Sequence, residues 1–266
     1  MKKILFIIIQ FSFLQSFLCQ NNSKKIYVEY QVSKNSRINK EYLIADSNNA
    51  LYSTSFIDFN NENNISKNQS NDTYIIKQNR VKINAMKYYS SLKSPNLYFI
   101  SIPPNNKKPI VALDSMPDIK WKIFNNETKK ISDLICIKAT SEYRGSKITA
   151  YFSPEIPVGF GPFKFKGLPG LIVEVFNDSE IFNYNWKATK IISSYQTDLK
   201  IKYSDSLYKT TVVSYKSIIE GFERKIKIAN QRFISNAPRG SSTKLTKTTR
   251  LGIEKNYEWE KETTQN

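Results

Sequence analysis

Runs of alternating apolar and polar residues are the feature that most limits how this chain can fold. Ile26, Val28, Tyr30 and Val32 are separated by single, mostly polar residues. This pattern is typical of a half-buried β-strand, because successive side chains of a strand point to opposite faces. Similar short runs, rich in Tyr, Ile, Val and Phe, predict further strands at 41–45, 51–57, 73–83, 97–102, 119–124, 134–140, 147–152, 171–176 and 182–192.

A single long helix is predicted near residues 213–235. One apolar stripe with helical spacing comprises Tyr215, Ile218, Ile219, Phe222, Ile226, Ala229 and Phe233. A basic amphipathic helix of this kind can lie on a membrane, but packing on a sheet is the interpretation we favour. The expected fold class is mostly β (α+β), with a curved antiparallel sheet or half-barrel and one main amphipathic helix packed on it.

The first 20 residues have the organisation of a secretory signal peptide. Lys2 and Lys3 precede a largely apolar run of 15 residues, Ile4–Leu18, which is short for a membrane span. We expect export, with a mature chain that begins close to Gln20 and has no transmembrane span. Leu18 is larger than the residue that lipoprotein signals place before the lipidated cysteine, so we expect no lipid anchor at Cys19.

The remaining chain is predicted to form one β-rich domain at 21–238, followed by a polar, largely loose tail at 239–266. Export implies a periplasmic or outer-membrane-associated location. The formal net charge is +17, yet only 7 of the 40 basic residues are Arg and the Lys residues are spread along the chain. Because Arg is the side chain that best binds phosphate and guanine, a solvated basic surface is favoured over nucleic-acid binding. Weak attraction to anionic lipid or polysaccharide is compatible with this charge.

The absence of His and the presence of only 2 Cys exclude several classes of site. A Ser-His-Asp triad, a Cys-His pair and a His-ligated metal cannot be built, and Cys-rich metal sites are also excluded. No phosphate-binding loop with the usual Gly spacing is present. We therefore expect no cofactor and no metal.

Half of the 8 Gly residues, together with two Pro residues, lie between Gly159 and Gly170. Gly167 and Gly170 are candidates for positive φ or for close backbone approach, and Pro169-Gly170 suits the centre of a type II turn. Because no side chain of the segment Gly167–Ile172 can donate or accept a proton, we expect its role to be backbone shape and inward apolar packing.

Gly167–Ile172 reads GLPGLI, the hexapeptide that names the GLPGLI family of exported Bacteroidota proteins. The chain resembles that family over about residues 119–176, where the matching elements are Trp121, 129–131, 136–140, 143–145, 152–158 and 161–165. Tyr151 stands where the family usually has Trp, and Ser146 where a basic residue is common. The resemblance implies export and carries no established biochemical activity.

Several side chains near this segment are candidates for chemistry. Cys136 could be a reactive thiol, but a buried, inert residue in a strand is favoured. Glu155 and Glu174 could form a pair of catalytic carboxylates, although structural capping is favoured. Arg144 and Lys166 could bind an anionic ligand, while Arg144 could equally be an exposed residue of a hairpin turn.

The aromatic residues Phe160, Phe163 and Phe165 are expected to fill a core against Trp121 and Trp186. They could instead line a groove for a lipid or peptide. The leading hypothesis is a non-catalytic envelope protein that binds a hydrophobic or peptidic ligand or an outer-membrane partner. Its candidate binding residues are Arg144, Glu155, Phe163, Lys166, Gly167, Leu168, Pro169 and Gly170. The alternative is an envelope hydrolase that uses Glu155 and Glu174, or Cys136.

Overall fold

The computed structural model describes residues 24–261, except 36, 56–84, 103–107, 180–181, 208, 237–249 and 251. Its strands are β1 (Lys25–Lys34), β2 (Arg37–Ala45), β3 (Asn49–Ser53), β4 (Ala85–Ser91), β5 (Ser94–Ile102), β6 (Ile110–Ser115), β7 (Lys122–Ile131), β8 (Leu134–Tyr143), β9 (Ser146–Ser153), β10 (Leu171–Asn177), β11 (Tyr184–Tyr195) and β12 (Val212–Ser214). The helices are α1 (Tyr215–Ser235) and the single turn α2 (Glu258–Lys261), and a 3₁₀ turn spans Asp205–Leu207.

The described strands form one open sheet in the order β12-β6-β5-β4-β3-β2-β1-β11-β10-β9-β8-β7. Two antiparallel meanders, β1–β6 and β7–β11, are joined where β1 pairs with β11. The only parallel pair among these strands is β12 with β6. This architecture confirms the expected mostly β fold with one main helix. The predicted strand at 73–83 lies outside the described residues.

Both faces of the central strands are buried over part of their length. Ile26, Val28 and Tyr30 of β1 belong to the larger core, which also contains Phe160 and Phe165 from the Pro/Gly-rich segment. Tyr27 points to the opposite face and belongs to a second, smaller core. The half-buried pattern predicted for the first strand is confirmed from Val28 to Val32, where Glu29 is half-buried and Gln31 is exposed. It is wrong at Tyr27, because a separate segment containing Ile201 covers that face.

The helix α1 begins at the N-cap Ser214, whose hydroxyl accepts a hydrogen bond from the Ser217 backbone N–H. It contacts the edge of the sheet at β6 and β12. We expected its apolar stripe to cover one face of the sheet. Instead, no residue of the helix is buried, and Phe222, Ile226 and Phe233 are 59%, 43% and 68% exposed.

The end of the chain differs from the loose tail that was predicted from residue 239. Ile253 and Tyr257 are buried, and the backbone N–H groups of Lys255 and Asn256 donate to the Arg144 carbonyl at 2.8 and 3.1 Å. Residues 252–261 therefore pack against the sheet, and the prediction is wrong for them. Residues 237–249 and the predicted signal peptide with Cys19 lie outside the described residues.

Candidate functional site

The Pro/Gly-rich segment crosses one face of the sheet and places three consecutive side chains there. The Phe165 backbone N–H donates to the Pro162 carbonyl at 3.2 Å, and the Gly161 N–H donates to the Phe165 carbonyl at 2.9 Å. Phe163, at the tip of this turn, has a φ of 57°. The turn buries Lys164 and Phe165, while Phe163 stays half-buried.

Lys164 belongs to a buried group of four charged residues, here called the ionic cluster: Asp114, Arg144, Lys164 and Glu254. The ammonium Nζ of Lys164 lies 2.7 Å from Asp114 Oδ2 and 2.7 Å from Glu254 Oε1. Arg144 donates to both oxygens of Asp114, at 2.8 and 2.9 Å, and also to Glu254. These four residues together are neutral, and a further carboxylate at the margin, the 41% exposed Glu258, accepts from Arg144 at 3.0 and 3.1 Å.

The β8–β9 hairpin and the C-terminal segment bring the ionic cluster together. Arg144 and Gly145 form the tight turn of the hairpin, with φ values of 44° and 80°. The Ser146 hydroxyl donates to the Ile253 carbonyl at 2.7 Å, next to the two backbone bonds that end on Arg144. These bonds fix Glu254 against the hairpin. Of the two alternatives for Arg144, the position in a hairpin turn is confirmed, but its side chain is fully buried rather than exposed.

Electrostatics keep the ionic cluster charged. Burial alone would raise the pKa of Asp114, but hydrogen bonds from Arg144 and the charge of Lys164 bring that pKa below its ordinary value. Burial likewise opposes ionisation of Glu254, and Lys164 with Arg144 again lowers the net pKa. Both carboxyl groups are thus ionised at neutral pH, which suits a structural role better than that of a general acid.

We expect this cluster to give the fold a specific sensitivity to acid. A carboxyl group whose pKa is lowered on folding stabilises the fold above its unfolded pKa, and this contribution disappears as the pH falls through the folded pKa. Wild type should exceed a Glu254→Gln variant in free energy of unfolding from pH 7 to about pH 5, and the difference should shrink below about pH 4. Urea unfolding of both proteins across this range measures the difference. A difference that stayed constant down to about pH 3 would contradict this role for Glu254.

Beside the ionic cluster lies a cleft of about 290 Å³, here called the aromatic cleft. Its lining includes Lys34, Glu41, Tyr52, Thr54, Met86, Tyr88, Phe163, Tyr184, Trp186, Ile253, Glu254 and Tyr257. Three of the rings are stacked in a row. Trp186 is 5.4 Å from Tyr184 and 6.0 Å from Phe163, each at an interplanar angle of 15°. The expected packing of Phe163 and Phe165 against Trp186 is confirmed.

A buried carboxylate, Glu41, anchors one side of the aromatic cleft. Its oxygens accept hydrogen bonds from the Tyr52 hydroxyl, from Trp186 Nε1 at 2.9 Å and from Lys34 Nζ at 2.7 Å. Lys34 itself is 33% exposed, and its ammonium lies 5.7 Å from the centre of the Tyr184 ring. The cleft therefore combines apolar ring faces with an accessible cationic donor.

The remaining candidate residues have local structural partners. Lys166 donates to the carbonyls of Ser91 and Ser94 at 2.6 and 2.8 Å, and burial lowers its pKa. Glu155 is exposed and accepts from the Ile135 N–H at 3.2 Å.

Glu174 is buried and lies 2.6 Å from Lys129 Nζ. Burial, with the nearby charges of both carboxylates, raises the pKa of the buried Cys136 thiol to about 11, so this thiol is protonated at neutral pH.

The apolar side chains of the GLPGLI hexapeptide pack inward, as expected. Its two glycines, Gly167 and Gly170, are required for different reasons. Gly167 has a positive φ of 94°, whereas the backbone of Ser153 passes directly against Gly170. Because Gly170 lacks a positive φ, the predicted type II turn centred on Pro169-Gly170 is wrong. Leu168, Leu171 and Ile172 are buried, and Pro169 is exposed.

Sequence reasoning missed Glu41, Asp114, Lys164 and Glu254. One local signal was available, because each of the first three interrupts an apolar or aromatic pattern. Glu41 shares a strand face with Leu43 and Ala45, and Lys164 lies between two phenylalanines. A charged residue at an inward position of a strand indicates a buried partner. Glu254 does not interrupt an apolar run, although the aromatic residues Tyr257 and Trp259 lie close to it in the sequence.

Comparisons with known proteins identify a fold and leave the activity open. A family model described as a protein of unknown function (Porph_ging) matches residues 142–174, which run from the end of β8 to Glu174. No curated protein matches the chain. Two solved structures of PNGF-II are similar at 16% identity, with TM-scores of 0.51 and 0.47. The matches cover 74% and 72% of this chain, respectively. This chain spans about a third of the length of PNGF-II, 32% and 31% in the two structures. Only the first likeness, at TM-score 0.51, supports a shared fold.

No helix in the described part of the chain has the length and apolar character needed to cross a membrane. Within the same residues, no group of three or more Cys, Asp and Glu side chains is placed to hold a metal ion.

Proposed function

We propose that this protein is a non-catalytic binding protein and that the aromatic cleft holds an apolar or aromatic side chain of a peptidic ligand. The observation that supports it is the row of stacked rings, Tyr184, Trp186 and Phe163, beside the Lys34–Glu41 pair. Concave sites of this size, lined by rings and a few convergent polar groups, are typical of ligand pockets.

The chemistry of the lining defines the ligand. Ring faces bind flat or apolar groups, and they exclude water from the floor of the cleft. The half-buried Lys34 ammonium can donate to a ligand carbonyl or carboxylate without leaving Glu41, because an ammonium has three donors. A peptide supplies both features in one molecule, since an apolar side chain projects from a backbone that carries carbonyl groups.

Binding is favoured over hydrolysis because the carboxylates near the cleft already have firm partners. Glu41 accepts from three side chains, and Glu254 accepts from Tyr143, Arg144, Lys164 and Tyr215. A general acid needs a raised pKa near the working pH, whereas the cations lower the pKa of Glu254. An envelope location belongs to the same proposal and is supported by the apolar run Ile4–Leu18. The relation to the exported GLPGLI family also belongs to it and is supported by the hexapeptide Gly167–Ile172.

The test uses anilinonaphthalene sulfonate, an aromatic anion whose emission rises in apolar sites. Wild type is expected to bind this probe, and blocked tripeptides with a central phenylalanine should displace it while those with a central serine should not. A Met86→Trp variant should lose most of the probe signal, because Met86 is half-buried in the cleft lining and the larger ring fills the space.

Leu92→Trp is the matched control, because Leu92 is 41% exposed and lies outside this cleft. It introduces the same ring and should leave the probe signal and the displacement unchanged. Equal probe binding by wild type and Met86→Trp would place the probe elsewhere and overturn the proposal. So would displacement that is the same for the phenylalanine and serine peptides.

A further inference from the structure

The exposed face of α1 is a second surface of interest, separate from the aromatic cleft. Phe222, Ile226 and Phe233 lie along one side of the helix and are all exposed. Residues at these spacings share one face, since an α-helix has 3.6 residues per turn. A line of exposed large apolar side chains on a basic protein is unusual and marks an interaction surface.

Basic residues flank this apolar stripe on both sides. At 100° per residue, Lys225 and Arg232 lie along one margin of the stripe, and Lys216 and Lys227 lie along the other. The Lys225 ammonium is 6.0 Å from the centre of the Phe222 ring. Long basic side chains at the margins of an apolar face can extend toward lipid headgroups while their stems stay in apolar surroundings.

The charge of the helix favours an anionic partner. Five basic residues and two acidic residues give α1 a net charge of +3. One of the two acidic residues, Glu223, is neutralised by the guanidinium of Arg250, with Nε at 2.9 Å, and Arg250 is also paired with Glu260. A second copy of this chain would present the same positive charge, so electrostatics oppose self-association through this face.

We propose that α1 docks this protein on the surface of a membrane that contains anionic lipid. The apolar stripe lies in the interfacial region, and the flanking Lys and Arg side chains bind the lipid headgroups. The contacts of the helix with the described strands are concentrated at the edge formed by β6 and β12, with Tyr215 also against Phe99 of β5, and the exposed stripe is accessible. This proposal does not depend on the aromatic cleft.

Co-sedimentation with vesicles tests the proposal. The chain is prepared from Gln20 onward, the expected mature N-terminus, because the apolar run Ile4–Leu18 would itself bind lipid. Binding to vesicles of equal parts phosphatidylcholine and phosphatidylglycerol should be at least about tenfold stronger than binding to phosphatidylcholine alone. It should also weaken with added salt.

Two pairs of variants distinguish binding through the helix from non-specific binding by exposed apolar residues or by overall positive charge. The double variant Phe222→Ser/Phe233→Ser should bind at least about tenfold more weakly, whereas Ile38→Ser/Ile135→Ser changes two exposed apolar residues on strands and should bind like wild type. Similarly, Lys225→Glu/Arg232→Glu should abolish the preference for anionic vesicles. Its control Lys130→Glu/Lys200→Glu changes two exposed lysines elsewhere by the same charge and should retain the preference.

Circular dichroism and the oligomeric state of each variant complete the experiment. All of these positions are exposed, so each variant should fold as wild type does. Wild-type binding by both helix variants would overturn the proposal. A wild-type oligomer that dissociates in Phe222→Ser/Phe233→Ser, without any change in lipid binding, would also overturn it and would assign the face to a protein partner.

Discussion

Replacing Asp114 by asparagine is expected to lower the free energy of unfolding by about 3–5 kcal/mol. The substitution keeps the shape of the side chain and removes its charge. Arg144 and Lys164, whose side chains are fully buried, would then share Glu254, and Arg144 would keep one further carboxylate partner, the partly exposed Glu258. A buried cation without its counter-charge is costly, because little solvent is available to replace it. Urea unfolding measures the loss as a lower midpoint with an unchanged slope.

Two further variants show whether the loss comes from the buried pairing. Asp118 lies four residues after Asp114, is 84% exposed and is 3.9 Å from Lys120. Asp118→Asn makes the same chemical change at an exposed position and should leave the unfolding midpoint unchanged. In the double variant Asp114→Asn/Lys164→Met, one charge of each sign is removed. Its loss should be smaller than the sum of the two single losses, because the cluster regains neutrality. Strictly additive losses would show that the two residues do not interact.

The sheet could be predicted from the sequence because its signal is local. Strands such as β1 and β9 alternate over a few residues, and each such run can be recognised without reference to any other. The short strand β12 was missed, because three residues are too few to show a period. The strands β4 and β6 were missed as well, since β4 has adjacent Tyr88 and Tyr89 and β6 is a compact apolar run. Both of those tyrosines are buried, one on each face of the sheet.

For the helix, the sequence predicted the position along the chain but not the surroundings in the fold. Its position was predicted closely, at 213–235 against Tyr215–Ser235 in the structure. Its surroundings were predicted incorrectly, because an apolar stripe indicates which face avoids water and does not indicate what covers it. The structure leaves Phe222 and Phe233 exposed, which is the observation behind the proposed membrane surface.

The sequence indicates that some individual charges are buried, but it does not show which of them meet in the ionic cluster. Its four members are separated by 20 to 140 positions in the chain, so no local pattern connects them. Only the fold brings Glu254 from the C-terminal segment to the β8–β9 hairpin. In retrospect, Tyr257 and Trp259 in an otherwise polar tail were the available signal, since large aromatic residues are usually at least partly buried. Tyr257 is 5% exposed.

The second large effect is expected at Gly170, where the backbone leaves no room for a side chain. A Cβ atom at this position would lie 2.2 Å from the Ser153 carbonyl oxygen, 2.7 Å from its carbon and 3.0 Å from Pro154 Cα. All three are backbone atoms, and Ser153 is held in register because it pairs with Leu171 across β9 and β10. Gly170→Ala must therefore separate two buried strands, and we expect a loss of about 3 kcal/mol in the free energy of unfolding.

Two other glycines provide matched Gly→Ala controls for this prediction. Gly167 has open space around it but a φ of 94°, so Gly167→Ala should cost about 1 kcal/mol from backbone strain alone. Gly221 lies inside α1 with only Arg224 Nη2 nearby, at 3.9 Å, so Gly221→Ala should stabilise the helix by up to about 1 kcal/mol. Thermal unfolding should rank the proteins as Gly221→Ala, wild type, Gly167→Ala and Gly170→Ala. If Gly170→Ala melted above Gly167→Ala, close packing against Ser153 could not be what the second glycine of the hexapeptide provides.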